Sequence, residues 1–387
     1  MIELISLPLL GPPALMPSRA SELARAIAGF AATHVPLVAV DQGQLRAVGG
    51  SDDAGLFLLG SVAARHFGVG PDGAAAIVLG TLLLVALVAG LLALPRLVTT
   101  SVGRVIGSVA LVGSALVAWG VGDVYIASAA AVLGVVPYAA TLHTRRSAVA
   151  VPTLLAAGVL LGIANVLRSQ ASLPVFVLLA VVILTRLPWS RLARVAALAA
   201  LVVGSVIPAL GYRAVQARRD AWLAERVPGY TAPLGAHPFW HTAYIGFGFL
   251  GNDLGIAYRD EVAVARVRAL DPAAAYVSPR YEAALRGEVF RLVREQPGFV
   301  LRTEAAKAGV LALLLGLFMN VGLLALARCP GRLREHLSYW AALVAASLPG
   351  FIALPSLPYL LAFTSLAAIY GAVRVDAAFQ SKATATS

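Results

Sequence analysis

Two adjacent carboxylates, Asp52 and Asp53, stand directly before the apolar run Ala54 to Ala64. Side-by-side carboxylates repel, and one of them relieves the repulsion by taking a proton, which is the work of a general base. The same pair also suits a helix N-terminus, where the backbone dipole favours acids. Arg168, in LGIANVLRSQASLP, lies between two apolar runs. A cation in such a place is a functional candidate, because the guanidinium fork matches phosphate oxygens. The plainer role is a loop arginine that reaches out of the membrane to water.

A third group of polar residues falls in HPFWHTAYIGFGFLGNDLGIAYRDE, where His237, Trp240, His241, Asn252, Tyr258, Arg259, Asp260 and Glu261 crowd into 25 positions. That density exceeds what a spacer needs, and His237, His241, Asn252, Tyr258, Arg259 and Asp260 are the candidates for substrate binding. His237 and His241 are four apart and would share a helix face, but the spacing supplies no third ligand, so neither a metal nor any other cofactor is expected. Hydrogen bonding and packing account for both histidines more simply. Gly246, Gly248 and Gly251 spell G-x-G-x-x-G, yet no strand-turn-helix unit surrounds them, and the match is set aside as a dinucleotide site. No P-loop, nucleophile elbow or metalloprotease helix occurs.

The elements that must carry these residues are membrane helices. Hydrophobic residues make up 59% of the chain and charged ones 13%, against about 25% charged in a soluble domain, and mean hydropathy is +0.84. Continuous apolar runs cover Ala74 to Leu94, Val105 to Val121, Val124 to Leu142, Val149 to Val166, Ala171 to Leu187, Leu192 to Gly211, Ala306 to Ala327, Leu337 to Leu354 and Leu357 to Val373. Each approaches the roughly 20 residues that cross a bilayer as a helix. Only helices or closed barrels satisfy their backbone there, and runs without alternation favour helices. The runs flanking Arg168 are short and suit tilted or re-entrant segments. Gly103 with Gly107, and Gly158 with Gly162, are read as close helix contacts. A further first span is expected before Ser51, from Leu4 to Met16 or from Ala26 to Val40. The chain begins with Glu3 near its start and no positive segment, unlike a cleaved signal peptide. The expectation is an all-α polytopic membrane protein of about ten transmembrane helices.

Arginine in the short loops sets the orientation. Arg96 and Arg104, Arg145 and Arg146, Arg186 with Arg191 and Arg194, Arg328 with Arg332 and Arg334, and Arg374 with Lys382 occupy alternate loops, which are read as cytoplasmic. The loops of Asp52, Asp123 and Arg168 then face outward. So does residues 212–305, an insertion with 12 arginines and 10 acidic residues. In it, Tyr281 to Glu295 places Leu285, Val289, Leu292 and Val293 on one helical stripe ended by Pro297 and Gly298. Three parts result: an N-terminal membrane region (1–211), a folded extracytoplasmic insertion (212–305), and a C-terminal membrane region with a short cytoplasmic tail (306–387). The net charge of +11 is dispersed over loops, so a bilayer, not nucleic acid, is the expected partner. Cys329 is the single cysteine and excludes an intrachain disulfide.

This arrangement resembles the GT-C glycosyltransferases. The acidic pair of SDDAGLF, the glycine-rich helix GVLLGIANVLRS ending in a basic residue, and the large loop carry the likeness over nearly the whole chain. FWHTAYIGFGFLGNDLGIAYRD and YEAALRGE resemble a poorly characterised bacterial branch. The pair is Asp-Asp where many relatives have Asp-Glu. The resemblance implies a bacterial inner-membrane enzyme with a lipid-linked (polyprenyl-phosphate) sugar donor and a membrane or envelope acceptor. Asp52 or Asp53 would be the base and Arg168 a ligand of the donor phosphate. The alternatives from other classes are a transporter or lipid flippase, and a non-catalytic subunit that binds a partner through the insertion.

Overall fold

The computed structural model describes residues 14–48, 53–139, 142, 147–233, 238–329 and 333–385. Asp52, His237, Arg145 and Arg332 lie outside them, as does most of the stretch Leu4 to Met16. The chain divides into two compact units: residues 1–232, 318–346 and 361–387 form one, and residues 233–317 with 347–360 form the other.

In the first unit, α1 (Pro17–Thr33) starts with proline at its first turn, where the missing N–H costs nothing. It buries Leu23, Ala26 and Gly29, three residues apart, on one face. His34 ends it in the left-handed region at φ 59°, and an antiparallel hairpin follows, β1 (Val38–Asp41) with β2 (Gln44–Ala47). Ala26 to Val40 is therefore not a span, because the helix stops at Thr33 and the chain turns into a strand. The hairpin also corrects the all-α expectation in one small place.

Then follow α2 (Ala54–Phe67), α3 (Pro71–Leu97), α4 (Ser101–Val121), α5 (Ile126–Ala139), α6 (Ser147–Leu167), α7 (Leu173–Thr185) and α8 (Arg191–Ala224). The C-terminal helices are α13 (Val321–Arg328), α14 (Leu333–Ile352) and α15 (Leu361–Ala385), the second of which runs into the other unit. The chain is a multi-pass membrane protein. Among the described residues, five helices are long and apolar enough to cross a bilayer, or six if α12 (Pro297–Met319) and α13, broken at Asn320, form one bent span. The remaining apolar runs fold as the shorter helices Ile126–Ala139, Leu173–Thr185 and His336–Ile352. α8 continues past Gly211 to Ala224, so the helix itself carries the chain beyond its apolar stretch.

Small residues let these helices touch. A Cβ on Gly158 would strike the Leu201 carbonyl, and one on Gly162 the Ser205 carbonyl, so α6 and α8 meet backbone to backbone, as the glycine spacing predicts. Gly103 packs on Asp376 of α15 and Gly107 on Leu94 of α3.

The second unit is built on α9 (Phe239–Gly246), α10 (Asp260–Leu270), α11 (Pro279–Glu295) and most of α12. Tyr244, Ile245, Phe247, Ile256, Ala263, Val267, Tyr281, Leu285, Val289 and Leu292 form its core. The expected stripe on α11 holds at Leu285, Val289 and Leu292, whereas Val293 is 48% exposed. Ser278 caps α11 by accepting from the Tyr281 N–H at 3.1 Å.

Candidate functional site

Asp53 occupies the N-cap position of α2, but its side chain makes no capping hydrogen bond. The carboxylate is 6% exposed and turns instead toward two arginines. Arg168 Nη1 donates to Oδ1 at 3.2 Å, and Arg19 Nε donates to Oδ2. The helix-dipole role therefore does not account for where the side chain points.

Local sequence explains the aim. α6 ends at Leu167, and the Asn165 side chain accepts from the Ser172 N–H at 3.0 Å, which shapes the loop that holds Arg168. Gly55 sits where a Cβ would come 2.5 Å from the Val166 carbonyl, so α2 lies directly against the last turn of α6. That contact brings Asp53 within reach of Arg168. Arg168 is only 15% exposed at its side chain, which is turned to Asp53.

Two residues the sequence did not single out complete the cluster. Arg19, on the first turn of α1, bridges Asp53 and Asp123 by ion pairs through Nε and Nη1. Asp123 is 3% exposed and follows Gly122, whose φ of 72° ends α4. Its own φ is 59°, a region aspartate tolerates better than most residues. Its Oδ1 accepts from the Val124 N–H at 2.8 Å and its Oδ2 from the Met16 N–H at 3.2 Å. Next to it, Tyr125 lies under both guanidinium groups, 5.6 Å from Arg19 and 5.1 Å from Arg168. Burial works against the Arg19 charge, but Asp53 and Asp123 more than offset it, so its pKa is raised above the ordinary guanidinium value. The signal for Asp123 was present: it is a lone acid between two apolar runs. Arg19 carried none, since it lies 34 residues from Asp53 and 104 from Asp123 along the chain.

The segment that leads to the acidic pair is also anchored. Arg219 of α8, 2% exposed, donates to the Val48 carbonyl at 2.6 Å. Its Nε donates to Asp220 at 2.8 Å, and the Tyr230 hydroxyl donates to the same carboxylate at 2.6 Å. Burial and the Asp220 hydrogen bond push the Tyr230 hydroxyl up to about 12, so it stays a donor at neutral pH.

Of the candidates in the second unit, His241 and Asp260 are hydrogen-bonded to each other, and Asn252 and Tyr258 have partners of their own. His241 is buried, with Nδ1 2.7 Å from the Tyr281 hydroxyl and Nε2 3.1 Å from Asp260 Oδ1. Burial, with Tyr276, Glu282 and Asp260 nearby, raises the Tyr281 hydroxyl well above its usual range. Glu282 accepts from the Trp240 and His241 N–H groups at 2.8 and 3.2 Å and so caps α9. Asn252 spends its amide on its own loop, donating to the Leu250 and Ile256 carbonyls and accepting from the Leu254 and Ile256 N–H groups. Tyr258 meets the Tyr359 hydroxyl at 2.8 Å. Arg259 precedes α10 at its N-cap, where Asp260 is exposed. Gly246 and Gly248 are needed for close packing against the Ile352 carbonyl and the Ala257 backbone, and a helix rather than a strand precedes them. Among the described residues, no three metal-ligating side chains converge.

Against known proteins, no family model matches the chain. No curated protein matches it significantly. A solved structure, ArnT from Cupriavidus metallidurans in the apo state, is similar over 96% of this chain and 73% of its own, with 14% identity and a TM-score of 0.42. A likeness at that level carries no functional argument, so the reading rests on the site itself.

Proposed function

We propose that the chain is a glycosyltransferase that moves a sugar from a polyprenyl-phosphate donor to an acceptor hydroxyl at the outer face of a bacterial inner membrane. One observation carries this reading: a buried carboxylate, Asp53, at the start of α2 is held between two arginines, Arg19 and Arg168. The chemistry suits that set. A phosphate leaving group departs as an anion and needs no general acid, unlike the alcohol expelled in glycoside hydrolysis. One base suffices, and Asp53 or its neighbour Asp52 takes the proton of the acceptor hydroxyl as it attacks the anomeric carbon. Arg168 stabilises the departing phosphate, and the single displacement inverts the anomeric centre. The insertion faces outward with the acceptor, and the C-terminus is cytoplasmic.

Incubating the purified protein with radiolabelled polyprenyl-phosphate sugars and membrane acceptors tests the reading. Transfer is expected, and Asp53→Asn or Asp52→Asn should lower its rate by roughly a hundredfold or more. Full activity in both variants at normal expression would remove the pair as base. A chain that transfers no sugar from any such donor is not this enzyme.

A further inference from the structure

The two arginines are arranged as a receptor for an anion, and the anion now in it is part of the protein. Each oxygen of Asp53 is held by a different guanidinium, Oδ1 by Arg168 and Oδ2 by Arg19. Both guanidiniums rest on the Tyr125 ring, which fixes their separation. Arg19 comes from α1, Arg168 from the end of α6 and Tyr125 from the turn before α5, so the cradle is assembled from three distant parts of the chain. The side chains are 13% exposed for Arg19, 15% for Arg168 and 8% for Asp53. The cradle therefore opens narrowly to its surroundings instead of being sealed.

A carboxylate and a phosphate, diester or monoester, present the same feature to guanidinium, a pair of oxygens that share negative charge on one atom. We infer that Arg19 and Arg168 together form a phosphate site, and that Asp53 occupies it as an internal stand-in until a phosphate ligand displaces it. Asp123 is the fixed counter-charge: it keeps Arg19 in place when Asp53 leaves. This deepens the transferase reading and rests on it in one respect. While each of its oxygens is held by a guanidinium Asp53 is not open to an acceptor hydroxyl, and the arriving phosphate takes those cations and leaves the carboxylate free beside the sugar. Base and donor then become ready together, which protects the activated sugar from idle hydrolysis.

An internal anion competes with an external one, and that gives an unusual expectation. Removing the Asp53 charge should lower transfer yet tighten phosphate binding. Full-length protein in detergent would be titrated with inorganic phosphate and, separately, with a short-chain polyprenyl monophosphate, by calorimetry. Asp53→Asn should bind the lipid phosphate at least about tenfold more tightly than the unmodified chain, equivalent to about 1.4 kcal/mol. Adding Arg19→Ala to that variant should reverse the gain. If inorganic phosphate shows the same gain, the site reads the phosphate alone; a gain confined to the lipid phosphate adds the chain to what is recognised, and both support the exchange. Asp53→Asn binding no more tightly than the unmodified protein overturns it. Should Asp53→Asn fold poorly, Arg19→Ala alone decides: it must weaken lipid-phosphate binding tenfold or more, and an unchanged affinity overturns the site. Tight binding by Asp53→Asn with no transfer by the unmodified chain keeps the phosphate site and ends the transferase reading. Transfer without the gain does the reverse.

Discussion

Replacing Arg168 separates binding from folding. Its guanidinium makes a 3.2 Å ion pair with Asp53 and a contact with the Tyr125 ring at 5.1 Å. Alanine removes both. Asp53 is not stranded, because Arg19 still holds its other oxygen, so the cost of an uncompensated buried charge is avoided. The loss in folding includes the cation–π contribution of about 0.5 to 2 kcal/mol. Donor binding should suffer more. A charge-assisted hydrogen bond contributes about 1.5 to 3 kcal/mol, which converts to roughly 10- to 150-fold in apparent donor affinity. Arg168→Lys keeps the charge but loses the planar fork, so its loss should fall between the wild type and alanine. The assay is initial-rate transfer with donor and acceptor varied separately. The donor KM should rise in the order arginine, lysine, alanine, with the acceptor KM nearly constant. Unchanged donor KM together with reduced protein abundance would show that Arg168 is a topological anchor, and the phosphate site would have to be sought elsewhere.

Gly55→Ala should push α2 off the Val166 carbonyl, because the new Cβ would lie 2.5 Å from it; overpacking of this kind costs about 1 to 3 kcal/mol, and a melting curve with a transfer assay would show both effects, whereas wild-type values in each would mean the contact does not position Asp53. In the second unit, burial alone would raise the Glu288 carboxyl, but hydrogen bonds from Arg291 and Arg266 hold it below the usual range. A carboxyl depressed in the folded state contributes stability above its unfolded pKa and loses it as pH falls through the folded value, so an acid titration followed by tryptophan fluorescence should show a loosening that Glu288→Gln flattens; identical acid profiles would contradict this. In a Cys329→Ser background, an impermeant thiol reagent applied to intact cells should label a cysteine at position 260 and not at 145, and the opposite pattern would reverse the orientation and with it the outer-face chemistry.

Much of the architecture follows from composition and order alone. A backbone in hydrocarbon must satisfy itself locally, so long apolar runs have little choice but helix, and helices α3 to α8 and α12 to α15 lie on the runs from Ala74 onward. Gly158 and Gly162 were legible for the same reason, since residues four apart share a helix face whatever lies opposite. Asp53 and Arg168 could be found as charges placed where charge is costly. Tertiary structure alone decided what they do there. Whether Asp53 caps α2 or faces an arginine depends on the contact of Gly55 with α6, which no local pattern records. Arg19 and Asp123 join the site across separations of 34 and 104 residues, and ion pairs leave no period in a sequence. The hairpin after α1 folds back so that the Val38 backbone lies against Gly29, a contact that an apolar count from Ala26 to Val40 does not contain. Charges and spans are properties of the chain; which charges meet is a property of the packing.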